Sequence, residues 1–226
     1  MSEIKNLFTD QIQPSDVPKL EKNSDNTVFP EFFKNLQSLS EVKQSADTES
    51  IYDNMAYDDK VKLQNKEIDS VERGEKTCET DIEKGNYGEM KTDQDLRSRG
   101  CLRISVDMVT NIKQTTHTAD VGNVGRQGID GVYYKENGTP KYIIVESKYG
   151  SSQLHDTKDG KQMSDNWIDK RLDKAVGSEK ADEIRLEKLL NPDNVGTYIS
   201  HVDSAGNVRY DKLDNNANVT EKDVKL

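Results

Sequence analysis

Gly128-Ile129-Asp130-Gly131-Val132-Tyr133-Tyr134, then Glu136-Asn137-Gly138-Thr139-Pro140, then Lys141-Tyr142-Ile143-Ile144-Val145-Glu146-Ser147-Lys148-Tyr149 is the stretch that decides how this chain folds. Asn-Gly between two apolar runs is a strong hairpin signal. Residues two apart on a strand share a face, so Glu146 and Lys148 point together. An antiparallel partner strand places Asp130 beside them. Two carboxylates and an ammonium then meet at the end of an otherwise apolar strand pair, a set able to hold a divalent cation against a phosphate oxygen.

Outward from the hairpin, the pattern changes to helical spacing. Residues 151–160 form a polar loop, and Met163, Trp167, Ile168, Leu172, Ala175 and Val176 predict a helix over 161–177. A second helix is expected from Glu179 to Leu190, stopped by Asn191-Pro192. A final hairpin is signalled by Thr197–Val202, the turn Ser204–Asn207 and Val208–Tyr210. Upstream, residues 87–100 predict a helix that ends at Gly100 with Arg97 and Arg99 in its last turn. Between that helix and the hairpin lie a Thr-Thr-His117-Thr loop and two Gly-rich turns at 121–125. Helix, hairpin, helices and strands in that order predict an α+β or mixed α/β domain.

The charge is unevenly spread. Of a formal net charge of −10, residues 1–84 carry −8, from 11 Lys/Arg against 19 Asp/Glu, whereas 85–177 balance 14 against 13. Broad, non-specific coating of nucleic acid is therefore disfavoured, but a local basic cleft is not. Residues 1–50, with Pro14, Pro18 and Pro30, predict a linker or weakly ordered arm, and 51–84 a solvated helix or flexible segment. The expected division is an acidic arm over 1–84 and a folded domain over 85–226. Cys78 and Cys101 have no zinc-finger spacing with each other or with His117, His155 and His201, and free thiols are expected. No run approaches the ~18–20 apolar residues of a membrane span, and no secretory signal is expected at the start.

Glu-x-Lys alone is usually a solvated strand end. Here it closes the apolar run 142–145, and an acid stands across a turn of suitable length. This set resembles the PD-(D/E)XK nuclease superfamily, in which an acid is followed at variable distance by Glu/Asp-x-Lys on a neighbouring strand. Gly-Ile stands before Asp130 where the superfamily name has Pro. The flanks Gly85–Asp93, Gln127–Tyr133, Pro140–Tyr149 and Asp159–Ile168 are similar to nuclease domains of bacterial polymorphic toxins, contact-dependent growth inhibition effectors among them. The resemblance covers about 85–177, extends toward 215, and leaves 1–84 unexplained.

The resemblance implies a three-layer α/β/α fold with a restriction-endonuclease-like mixed central sheet behind a mostly helical or disordered arm. It implies a metal-dependent phosphodiester hydrolase delivered into the cytoplasm of a competitor cell, and a cognate immunity protein. Asp130 and Glu146 would ligate a divalent metal, Mg²⁺ foremost with Mn²⁺ or Zn²⁺ as alternatives, and Lys148 would stabilise the transition state. Glu89 matches the acid that the superfamily adds from its first helix; it also suits a helix start on dipole grounds. Gln162 matches a site-lining Gln. Lys161 and Ser164 are candidate phosphate contacts at a helix start, or plain helix-start residues. His117 is a candidate substrate contact or loop base. Trp167 falls on the apolar face and is expected in the core. DNA is favoured over RNA, whose 2′-hydroxyl makes metal–carboxylate chemistry dispensable. The alternatives are an RNase, tRNA-directed on the same fold or metal-independent, and a non-catalytic module with Asp130, Glu146 and Lys148 as a surface ion-pair network.

Overall fold

In the computed structural model, which describes residues 56–114 and 128–226, residues 142–149, the apolar run 142–145 and the Glu-Ser-Lys-Tyr that follows it, become the strand around which the rest is arranged. The elements in chain order are α1 (Tyr57–Glu72), α2 (Asp81–Ser98), β1 (Leu102–Arg103), β2 (Gly131–Tyr134), β3 (Tyr142–Tyr149), β4 (Asp156–Thr157) and β5 (Gly160–Lys161). There follow α3 (Asp165–Val176), α4 (Ser178–Leu190), a 3₁₀ turn (Pro192–Asn194), β6 (Val195–Val202), β7 (Val208–Leu213) and β8 (Val219–Glu221). Six strands make one sheet in the order β1-β2-β3-β6-β7-β8, and β4-β5 is a separate small hairpin. Neighbours are antiparallel except β3 and β6, which run parallel. The class is mixed α/β.

Both faces of β3 are covered, which is why its first half, Tyr142–Val145, is apolar without interruption. Tyr142 and Ile144 join Met163, Trp167, Ile168 and Leu172 around α3, with Ala181 and Ile184 of α4. Ile143 and Val145 pack on the opposite face with Leu96 of α2, Tyr133, Tyr198 and Tyr210. A third cluster joins α1 to α2 through Ile68, Tyr87 and Met90, with Val109, Ile112 and Val202. Each fully buried side chain of this size stabilises by roughly 1.5–3 kcal/mol.

Element boundaries differ from the sequence reading in instructive ways. α2 starts at Asp81, because Thr80 and Glu83 form a reciprocal capping box. Gly85 therefore lies inside a helix. Gly100, at φ +78°, follows that helix in the left-handed conformation for which glycine is suited. The helix expected from 161 begins at Asp165. Gly160 and Lys161 belong to β5, and the Gln162 N–H donates to the His155 carbonyl at 2.8 Å, which holds the segment extended. The hairpin expected over 197–210 is β6–β7. Trp167 is buried in the core.

α1 had few apolar anchors to announce it, and its buried positions are mostly polar. Gln64 donates to the Val109 carbonyl at 2.9 Å and accepts from Arg97 at 2.5 Å. Glu67 accepts from the Ile112 N–H at 3.2 Å and from Lys76 at 2.5 Å. Ile68 has no exposed surface. The described residues all fall within one unit of contacts, Ser50–Leu226; residues 1–55 of the expected arm and 115–127, with His117, lie outside them. Among the described residues no helix is long and apolar enough to cross a membrane.

Because Ile68 is wholly buried between α1 and α2, Ile68→Ala should cost about 2–5 kcal/mol. Urea denaturation followed by far-UV circular dichroism measures it. A loss below about 1 kcal/mol would mean that α1 docks too loosely to count as core.

Candidate active site

β2 and β3 pair with Gly131 opposite Val145, so the next step of the ladder sets Asp130 opposite Glu146. Asp130 stands just ahead of β2. Its Oδ2 accepts the Ser147 N–H at 2.8 Å, and its carbonyl accepts from Arg103 Nη2 at 2.8 Å. Alternation along β3 sends Glu146 and Lys148 to the α3 face, while Ser147 turns to α2 and meets Thr92 Oγ1 at 3.0 Å.

Glu146 is only 3 % exposed. Its Oε1 accepts from Lys148 Nζ at 2.9 Å and from Gln162 Nε2 at 2.5 Å. Lys148 Nζ also donates to Gln162 Oε1 at 3.0 Å, which closes a triangle of three side chains. Glu146 Oε2 is buried and has no hydrogen-bond partner. Burial, then the charge of Asp130, drives the Glu146 carboxyl well above the usual carboxylate range; Lys148 opposes them and Glu89 adds to them. Glu89, on α2, is thus within electrostatic reach of Glu146, and also of Arg103.

Gln162 is aimed by a strained turn. The next residue, Met163, has φ +71° and is wholly buried in the core. A non-glycine residue in that region costs about 1–2 kcal/mol, so the packing around Met163 holds the turn and with it the amide of Gln162.

Of the residues read from sequence, Asp130, Glu146, Lys148 and Gln162 lie together, and Glu89 joins them electrostatically. Lys161 does not face the site: its Nζ donates to the Ala217 carbonyl at 2.7 Å and ties β5 to the β7–β8 turn. Ser164 holds the N-cap position of α3 but its hydroxyl makes no capping bond and has no hydrogen-bond partner. His117 lies outside the described residues. Arg103 and Tyr133 were not anticipated as site residues, because an Arg on a two-residue edge strand carries no motif. Nor was His201, the register partner of Lys148 on β6, which bonds Asp211 at 3.1 Å.

A hard divalent cation is the group this donor set suits, since all three acids offer oxygen. The unpartnered Oε2 of Glu146 and the mutual repulsion of Glu146 with Asp130 and Glu89 are what such an ion would relieve. As the side chains stand, no group of three or more His, Cys, Asp or Glu among the described residues is gathered closely enough to hold one. Lys148 Nζ is the cation that Oε1 now faces. No family model matches the chain, and no curated protein or solved structure matches it either.

The raised proton affinity of Glu146 has a consequence for stability. The contribution of the protonated carboxyl is complete below the unfolded value of ~4.3 and is lost as pH climbs through the higher folded value. Glu146→Gln fixes the neutral form. In metal-free buffer it should melt above the parent at pH 8 and close to it at pH 4. A variant that melts lower at pH 8 would show that the Lys148 ion pair outweighs the burial cost.

Proposed function

We propose that this chain is a metal-dependent nuclease of the PD-(D/E)XK type, a DNase acting as a toxin effector against competitor bacteria. The single observation that carries this reading is the buried Glu146 carboxylate, half satisfied by Lys148 and Gln162 and repelled by Asp130 across the β2–β3 ladder. Helices on both faces of a sheet with antiparallel β2–β3 and parallel β3–β6 pairing are consistent with the restriction-endonuclease-like three-layer arrangement.

Glu146 and Asp130, with Glu89, would hold the ion, Mg²⁺ foremost with Mn²⁺ or Zn²⁺ as alternatives. A divalent cation bound there supplies Lewis acidity toward a phosphoryl oxygen. Lys148 donates from Nζ to a non-bridging oxygen of the scissile phosphate as negative charge builds there. Gln162 holds Nζ through its amide oxygen, so the ammonium is positioned before substrate arrives. The Ser147 N–H fixes one oxygen of Asp130 and so limits its rotation. DNA is favoured because carboxylate-bound metal serves a substrate without its own nucleophile. A toxin of this kind acts in the cytoplasm of the target cell and requires an immunity partner in the producer.

The closed Lys148–Glu146–Gln162 triangle and the absence of a gathered three-ligand group among the described residues favour a second reading, a non-catalytic module with an internal ion-pair network.

A plasmid-nicking gel separates the two. With Mg²⁺ the protein should nick or linearise supercoiled DNA, and EDTA or Asp130→Ala should abolish the product. Lys148→Ala should slow it by ~10²–10³, the usual cost of one transition-state donor. Plasmid left intact with Mg²⁺, Mn²⁺ and Zn²⁺ removes the DNA assignment and moves the assay to tRNA and total RNA. RNA cleavage that survives EDTA would assign a metal-independent RNase, and intact RNA leaves the ion-pair module. Induced expression in a bacterial cytoplasm should arrest growth, and the Asp130→Ala form should not.

A further inference from the structure

Arg103 is a buried charge that the ladder does not require and the proposed chemistry does not use. It lies on edge strand β1 opposite Tyr133, and its side chain is 4 % exposed. Nη1 donates to the Tyr133 hydroxyl oxygen at 2.9 Å and to Asp93 Oδ1 at 3.3 Å. Nη2 donates to the Asp130 carbonyl at 2.8 Å and to the Asp107 carbonyl. Nε has no partner. A guanidinium kept only to neutralise Asp93 would not need the second branch.

Asp130 does need it. β2 begins at Gly131, so the carbonyl of Asp130 lies beyond the β1–β2 ladder, whose last register pair is Arg103 with Tyr133. The backbone that aims the carboxylate is therefore held by a side chain. The other branch reaches α2. Asp93 is one turn beyond Glu89, and its second oxygen accepts from Arg97 Nε at 2.9 Å. The Tyr133 hydroxyl donates to Asp93 Oδ1 at 2.9 Å and closes the cluster. One planar group thus connects the backbone of one acid with the helix of another.

We infer that Arg103 is a positioning residue for the carboxylate site, setting the distance between Asp130 and the Glu89 helix; this rests on the reading of that site as a metal centre. Its rigid two-branched fork is the property used, and lysine has the charge without the fork.

The test is calorimetric titration of Mn²⁺ into the full chain as wild type, Asp130→Ala, Arg103→Lys and Tyr133→Phe, each first shown to melt cooperatively. Wild type should bind and Asp130→Ala should not. Arg103→Lys should bind about 10–100-fold more weakly, the usual cost of disturbing a ligand's support, and Tyr133→Phe should fall between it and wild type. In the plasmid assay, Arg103→Lys should lower kcat and leave KM for DNA unchanged. A lowered melting temperature with Mn²⁺ affinity equal to wild type would assign Arg103 a structural role only and overturn the inference. Where Arg103→Lys does not fold, Tyr133→Phe decides, and wild-type Mn²⁺ affinity there overturns it. Wild type that binds no Mn²⁺ takes down the functional reading and this inference with it. Binding in wild type with unchanged variants takes down the inference alone.

Discussion

The antiparallel register of β2 on β3 is the interaction on which the rest depends. It sets Gly131 against Val145 and thereby Asp130 against Glu146. It also fixes which side of β3 faces which helices. A slip of one residue would turn Glu146 and Lys148 toward α2 and present Ser147 and Tyr149 to α3. The apolar partners specify against that slip: Tyr142 and Ile144 fit the surface of α3 and α4, and Ile143 and Val145 fit that of α2. Parallel pairing of β6 then protects the other edge of β3 along its whole length, from Tyr142 with Val195 to Tyr149 with Val202.

Two groups of buried charge stand on this frame, and they differ in how well they are satisfied. Asp93 accepts from Arg97, Arg103 and Tyr133, so both of its oxygens are engaged. Glu146 has one oxygen engaged twice and the other not at all. A buried polar atom without a partner costs about 1–3 kcal/mol, and a like-charged neighbour adds to the cost. The Asp93 carboxylate is thus a fully satisfied acceptor, the one open position of its cluster being a donor, Arg103 Nε, whereas the Glu146 carboxylate keeps an open acceptor oxygen. That difference between the two carboxylates is the physical basis for proposing a cation site at Glu146 rather than at Asp93.

Much of the frame was legible. The two apolar runs and Asn137-Gly138 between them marked β2 and β3, and the period of Trp167, Ile168 and Leu172 marked α3. The Thr80–Glu83 capping box was also present in the sequence and places the start of α2 where the structure has it. α1 was hard to see because Gln64 and Glu67 reach the interior through hydrogen bonds, which leave no hydrophobic signature. Lys161 illustrates the opposite case. A lysine at an apparent helix start has the chemistry of a phosphate contact, but β5 carries it to the Ala217 carbonyl.

By itself the sequence determined the hairpin, the shared face of Glu146 and Lys148, and the presence of Asp130 at the entry to the strand before them. Those follow from local rules, the two-residue period of strands and the turn preference of Asn-Gly. Only the tertiary structure decided that Glu146 is buried with one oxygen unpartnered, that Gln162 reaches it from a left-handed turn at Met163, and that Arg103 joins the Asp130 backbone to the Glu89 helix. Burial, and the pairing of groups distant in sequence, depend on which surfaces the helices cover. No local pattern encodes that.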